Sequence, residues 1–271
     1  LFDDIRTTVS AQQERVQKTS NAIAQLDVLC SFARVAVKNQ YCRPEVNLSG
    51  KIVLKESRHP VVELLSDASP FVPNDALLDQ DENRVLVITG PNMAGKSTFM
   101  KSFTIALFLA HAGFPVPAEE MVFSVRNGMF TTINLPDNLS MGYSHFYAEV
   151  LRVKKVAQHL CQTENLVVVF DELFRGTNVK DAYDATLAVT EAFAGVPDCL
   201  FLISTHIIEV GVVLKERCKN IRFVYLPTKM EGGKPVYTYQ LTEGITNDRH
   251  GMIIINNEKI IDIINGEGGE Q

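Results

Sequence analysis

No apolar run in this sequence approaches the roughly 20 residues that cross a bilayer; the longest, such as LVVVF from Leu166 to Phe170, have the length of a strand. A soluble protein with no membrane partner is therefore expected. Cysteine is scarce and unpaired. Cys30, Cys42, Cys161, Cys199 and Cys218 are odd in number and form no C-x-x-C, which argues against a zinc site or a disulfide framework and for a reducing, cytoplasmic compartment. A surplus of positive charge is also missing: the formal net charge is −6, so a broad phosphate-binding face is not expected, although a local basic stripe is compatible with it. The first residues carry neither a basic segment nor an apolar signal stretch, and they begin at Leu1 inside what reads as an amphipathic helix, so a piece of a longer chain is expected. Internal repeats and low-complexity tracts are absent.

What is present is enough apolar material, 46% of 271 residues, for one full-sized domain and a smaller piece. Residues 1–40 contain no Gly or Pro and space Ile5, Val9, Val16, Ile23 and Leu26 among polar residues, which predicts one long helix or two end to end. Such a helix either covers a neighbour's core or serves as a lever. YCRPEVNLSG (Tyr41 to Gly50) closes it, so residues 1–48 are expected to form a helical lever or connector and 49–271 a separate domain. In the second part RVLVITG (Arg84 to Gly90), NLVVVFDE (Asn165 to Glu172) and CLFLIST (Cys199 to Thr205) read as strands buried on both faces, alternating with helical stretches near 96–112, 144–161 and 181–194. The fold class predicted is α/β, with a mainly parallel sheet flanked by helices. IRFVYL and PVYTYQL, separated by the turn-rich PTKMEGGK, are expected to pair as an antiparallel hairpin.

The segment GPNMAGKST, from Gly90 through Pro91, Asn92, Met93, Ala94, Gly95, Lys96 and Ser97 to Thr98, has the spacing G-x-x-x-x-G-K-[ST] between a strand and a helix. Glycine lets backbone N–H groups approach phosphate oxygens, and the helix N-terminus adds positive potential. Lys96 reaches the β- and γ-phosphates, and the Ser97 hydroxyl ligates Mg²⁺. This predicts a P-loop NTPase that uses its nucleotide with Mg²⁺. The metal then needs a carboxylate at the end of a neighbouring strand and the attacking water needs a base; Asp171 and Glu172 supply them in that order. His206, after the LFLIS strand, faces the same crevice as a candidate catalytic sensor of the γ-phosphate.

These motifs, with ESRHPVVE (Glu56 to Glu63), FVPND (Phe71 to Asp75), FDELFRGT (Phe170 to Thr177) and STH (Ser204 to His206), occur in an order and at spacings that resemble the C-terminal part of a MutS-family DNA mismatch repair ATPase. Gly-Pro-Asn-Met and Arg-Gly-Thr are the specific elements of the likeness. It implies an ABC-type ATPase that uses ATP/ADP, in which two such domains face one another, as a homodimer or a MutS-family heterodimer, and each completes the other's site. DNLSMGYSHFYAEV is similar to the family's signature segment and puts Ser144 at the position that contacts the γ-phosphate in trans, while Asp181 falls where the inter-subunit loop carries an acid. Phe71 and Tyr239 match positions that stack on adenine. Helix 1–40 is similar to the family's lever, which couples nucleotide state to DNA gripped by regions outside this chain, in a cytoplasmic, nucleoid-associated protein. His145 stands where Thr is usual, RGTNVKDAYDA departs from a more uniform stretch, and MIIINNEKIIDIINGEGGEQ is not expected to form the extended helical dimerisation tail that many members carry. The other functions compatible with the residues are a non-hydrolysing dimerisation switch and a paralogue acting on recombination intermediates; a transporter subunit is disfavoured because LSMGYSHF does not substitute for LSGGQ.

Overall fold

The computed structural model describes residues 1–65, 70–133, 145–231, 234–246 and 263–264. Helix α1 (Phe2–Ala11) and helix α2 (Gln13–Asn39) follow one another across Gln12, and neither buries a single residue. The Gly- and Pro-free sequence thus yields two consecutive helices, and the apolar positions Ile5, Val9, Val16, Ile23 and Leu26 are all more than half exposed. Helix α2 stops at Gln40, which adopts a left-handed conformation with φ 54°. Its last carbonyls are taken up from outside: Arg58 Nη2 donates to Asn39 O (3.0 Å) and Gln40 O (2.8 Å). Arg58 also pairs with Glu63 at 3.1 Å, and the Tyr41 hydroxyl donates to the same carboxylate at 3.2 Å. Burial, then the Glu63 charge, pushes the Tyr41 phenol up to about 12, so it remains a donor.

Two sheets enclose the core. The smaller has the order β1 (Glu45–Asn47), β5 (Glu120–Ser124), β2 (Ile52–Ser57), β3 (Asn74–Leu78). The larger runs β12 (Thr242–Glu243), β9 (Ile221–Tyr225), β4 (Val85–Thr89), β8 (Leu200–Thr205), β7 (Leu166–Phe170), β6 (Gly128–Thr132), and every pairing in it is parallel except that of β12. Helix α4 (Lys96–His111) lies between the sheets, its Phe103 and Leu107 packed in one cluster with Ile52 and Leu54 of β2 and Leu86 and Ile88 of β4. The opposite face of the larger sheet, with Val85, Val87 and Phe201, is covered by α5 (His145–Leu160), α6 (Val179–Ala194) and α7 (Ile208–Arg217). Alternate residues of β4 therefore enter two different cores, which is why that strand reads as uninterrupted apolar sequence.

The expected hairpin is placed differently. Its strands are β10 (Thr228–Glu231) and β11 (Lys234–Tyr237), drawn largely from the stretch read as the turn, whereas Ile221–Tyr225 joins the larger sheet beside β4. Burial decides this: Ile221, Phe223 and Val224 are nearly inaccessible, and an apolar run of that kind gains more as an inner strand than on a ribbon, while Pro227 breaks the chain immediately afterwards. A short helix, α3 (Val62–Leu65), completes the elements used below. Among the described residues no helix is long and apolar enough to cross a membrane.

Candidate nucleotide site

Strands β4, β8 and β7 end side by side, with Thr89 in register with Thr205 and Phe170 with Ile203. Their parallel arrangement delivers the Gly90–Ser97 loop, Asp171, Glu172 and His206 to one edge of the sheet, the edge at which open α/β sheets bind ligands. Gly95 turns the chain into α4 with φ 103°, a conformation that strains any residue with a β-carbon, and a β-carbon there would also lie 3.3 Å from the Tyr239 ring.

Lys96 is 4% exposed, and its ammonium donates to Gly90 O (2.8 Å) and Pro91 O (2.9 Å) while lying 3.5 Å from Glu172 Oε1. Burial lowers its pKa, and the charges of Glu172 and then Asp171 oppose that. The Ser97 hydroxyl donates to Asp171 Oδ2 at 2.5 Å. The other carboxylate oxygen accepts from Ser204 Oγ at 2.6 Å, and the same Ser204 oxygen accepts the Glu172 N–H at 2.9 Å. Glu172 itself sits at φ 54°, and its Oε2 faces Arg175 Nη1 at 3.5 Å. Ser204, fully buried, is thus a single hydroxyl that holds both acids. Its place in STH was the available signal, but the motif drew attention to His206, which is exposed one residue beyond β8.

Beside the loop is a cleft of about 260 Å³ whose walls include Ser57, Val62, Phe71, Met93, Gly95 and Tyr239. Phe71 and Tyr239, 168 positions apart, are therefore brought to one cavity. Asn74 accounts for part of this: buried at the start of β3, it donates to Tyr239 O (2.8 Å) and accepts from Leu241 N (2.6 Å), fastening a turn in which Tyr239 has φ 55°. Pro91, Asn92, Ala94 and Thr98 lie in or just after the loop, Thr98 on the cleft wall. Asn178 caps α6: its Oδ1 accepts the Asp181 N–H at 2.9 Å, and its Nδ2 donates to Asp181 Oδ2 at 2.5 Å. Ser144 lies outside the described residues.

The donor set suits a nucleotide with Mg²⁺. One hydroxyl and one carboxylate, Ser97 and Asp171, form a hard oxygen pair, and Mg²⁺ at such sites takes its remaining ligands from phosphate and water. No cluster of three or more His, Cys, Asp or Glu that could cage a metal occurs among the described residues.

Residues 86–264 match the profile of MutS domain V. The chain belongs to the MutS domain V family. Domain V is the ATPase domain, and its profile spans the loop, the acidic pair and the His206 strand end of this chain. Proteins named DNA mismatch repair protein MutS are similar over most of the chain: one from Caldicellulosiruptor bescii is 40% identical over 254 residues, 93% of this chain, and one from Listeria monocytogenes is 35% identical over 253 residues, again 93%. One from Symbiobacterium thermophilum is 44% identical over 206 residues, 76% of the chain. The chain spans 29%, 29% and 23% of the length of these three relatives, respectively.

Proposed function

We propose that this domain V binds ATP in the cleft beside the Gly90–Ser97 loop, hydrolyses it, and passes its nucleotide state through helices α1 and α2 to DNA-gripping regions of a mismatch repair protein. The observation that carries this reading is the convergence of Lys96, the Ser97–Asp171 pair and Glu172 at the ends of adjacent strands, next to a cavity with an aromatic residue on its wall at both Phe71 and Tyr239. Lys96 neutralises β- and γ-phosphate charge. Mg²⁺ held by Ser97 and Asp171 would polarise the transferring phosphoryl group. Glu172 accepts a proton from the attacking water or orients it, Ser204 fixes both acids, and His206 senses the γ-phosphate from β8. The net charge of −6 supports assigning the DNA contacts to other parts of the parent protein.

Adenine is held by stacking. Phe71→Ala and Tyr239→Ala are each expected to weaken ATP by on the order of 1 kcal/mol while leaving the Mg²⁺ requirement unchanged. A titration with fluorescent ATP checks this, and an unaltered affinity in Tyr239→Ala removes that ring from the site.

The domain acts as a pair, with Ser144 of each copy completing the other's site. Specific ATPase activity should then rise with protein concentration, and mixing Ser144→Ala with Lys96→Ala chains should restore turnover at one composite site per mixed dimer. Turnover by a demonstrated monomer, independent of concentration, refutes the shared site.

A further inference from the structure

The loop that carries the acidic pair is gripped from one side by the first turns of α5. A β-carbon on Gly176 would lie 2.7 Å from His145 Cβ and 2.8 Å from Phe146 N, so the loop backbone meets the helix directly and only glycine fits. Phe174 has φ 59°, a conformation that a bulky residue keeps only where its surroundings hold it. Here the holding is visible: Phe174 is 3% exposed and its ring centroid lies 5.8 Å from that of Phe146.

Glu149, one helical turn beyond Phe146, supplies the polar half of this contact. Its carboxylate faces the backbone N–H groups of Gly176 and Arg175. Burial raises the Glu149 pKa, and these N–H groups together with the Arg175 and Arg152 charges counteract it. Oε2 is buried with no hydrogen-bond partner among the described residues. A half-satisfied carboxylate in such a place is costly for stability alone, which directs attention to what it holds. Arg175, whose charge acts on Glu149, is also the residue whose guanidinium lies 3.5 Å from Glu172 Oε2.

We propose that Glu149 is a positioning residue for hydrolysis: from α5 it fixes the backbone of residues 171–176 and, through Arg175, the carboxylate of Glu172. Lys96 on one oxygen and Arg175 on the other then hold Glu172 in a single orientation. The role rests on Glu172 being the residue that prepares the water.

The test uses the whole 271-residue chain. Glu149→Ala is expected to lower kcat about tenfold while KM and ATP affinity stay within about twofold, the signature of an interaction needed only in the transition state. Glu149→Gln, whose amide oxygen can still face both N–H groups, should recover most of that loss. Hydrogen exchange without nucleotide gives an independent readout: in Glu149→Ala the amides of Arg175 and Gly176 should exchange about tenfold faster, with 166–170 unchanged. Should Glu149→Ala fail to fold by circular dichroism, Gly176→Ala attacks the same contact from the loop side and should give the same pattern. Unchanged kcat, unchanged exchange, or parallel loss of kcat and affinity overturns the positioning role. A wild-type chain that binds ATP without turning it over instead overturns the hydrolysis reading, and the catalytic claim for Glu149 with it.

Discussion

Glu172→Ala is expected to bind ATP as the wild type does and to turn it over at least about a hundredfold more slowly, the effect of losing a well-placed general base. The carboxylate stands 3.5 Å from Lys96 and 3.5 Å from Arg175, and its backbone N–H is tied to Ser204. Its removal leaves Lys96 anchored by the Gly90 and Pro91 carbonyls, so the phosphate cradle survives. Burial disfavours the Lys96 ammonium and Glu172 counteracts that, so binding in the variant is measured across several pH values; at neutral pH affinity should change little. Single-turnover hydrolysis together with a binding titration checks both halves. Loss of affinity equal to the loss of rate rules out the division of labour between the two residues.

Lys96→Ala should do the opposite and weaken ATP about a hundredfold, because one charge-assisted contact to phosphate is worth up to about 3 kcal/mol and each 1.4 kcal/mol is about a factor of ten. The change has a second component. Removing the ammonium strips Gly90 O and Pro91 O of their donor and leaves Glu172 paired with the exposed Arg175. The loop therefore loses its internal tie as well as its charge. Comparing the melting temperature of the nucleotide-free variant with its ATP titration separates the two components, since the lost tie shows without ligand and the lost charge–phosphate contact only with it. ATP affinity within about twofold of wild type would remove Lys96 from phosphate binding.

The parts of this site that were legible in sequence are the local ones. A glycine at each end of a loop, a Lys-Ser at the start of a helix and two acids at the end of an apolar run each express their geometry within a few residues. Continuous apolar runs likewise announced inner strands, and hence the parallel sheet. The partners that hold these groups were not legible because they lie far away in the chain: Ser204 reaches Asp171 across 33 positions, and Asn74 reaches Tyr239 across 165. Neither Ser nor Asn carries a pattern that says which backbone group it will meet. Glu149 was hidden for another reason, since a lone acid on an amphipathic helix reads as solvated surface until the loop packed against it is seen. The hairpin was misplaced because alternation and apolarity suit a ribbon and an inner strand alike, and only the space available beside β4 distinguishes them.

The attachment of α2 has a geometric consequence. Arg58 holds the final carbonyls of the helix, its neighbour Ser57 is on the cleft wall, and Glu63, which pairs with Arg58, follows the wall residue Val62. The joint thus leaves almost no slack between the cavity and a helix of 27 residues that buries none of its side chains in this domain. At about 1.5 Å per residue that helix is about 40 Å long, so a tilt of about 5° at Arg58 sweeps its far end through about 3.5 Å. A displacement of a few tenths of an ångström beside the nucleotide is thereby multiplied roughly tenfold in amplitude at the distant end, by rigid rotation alone.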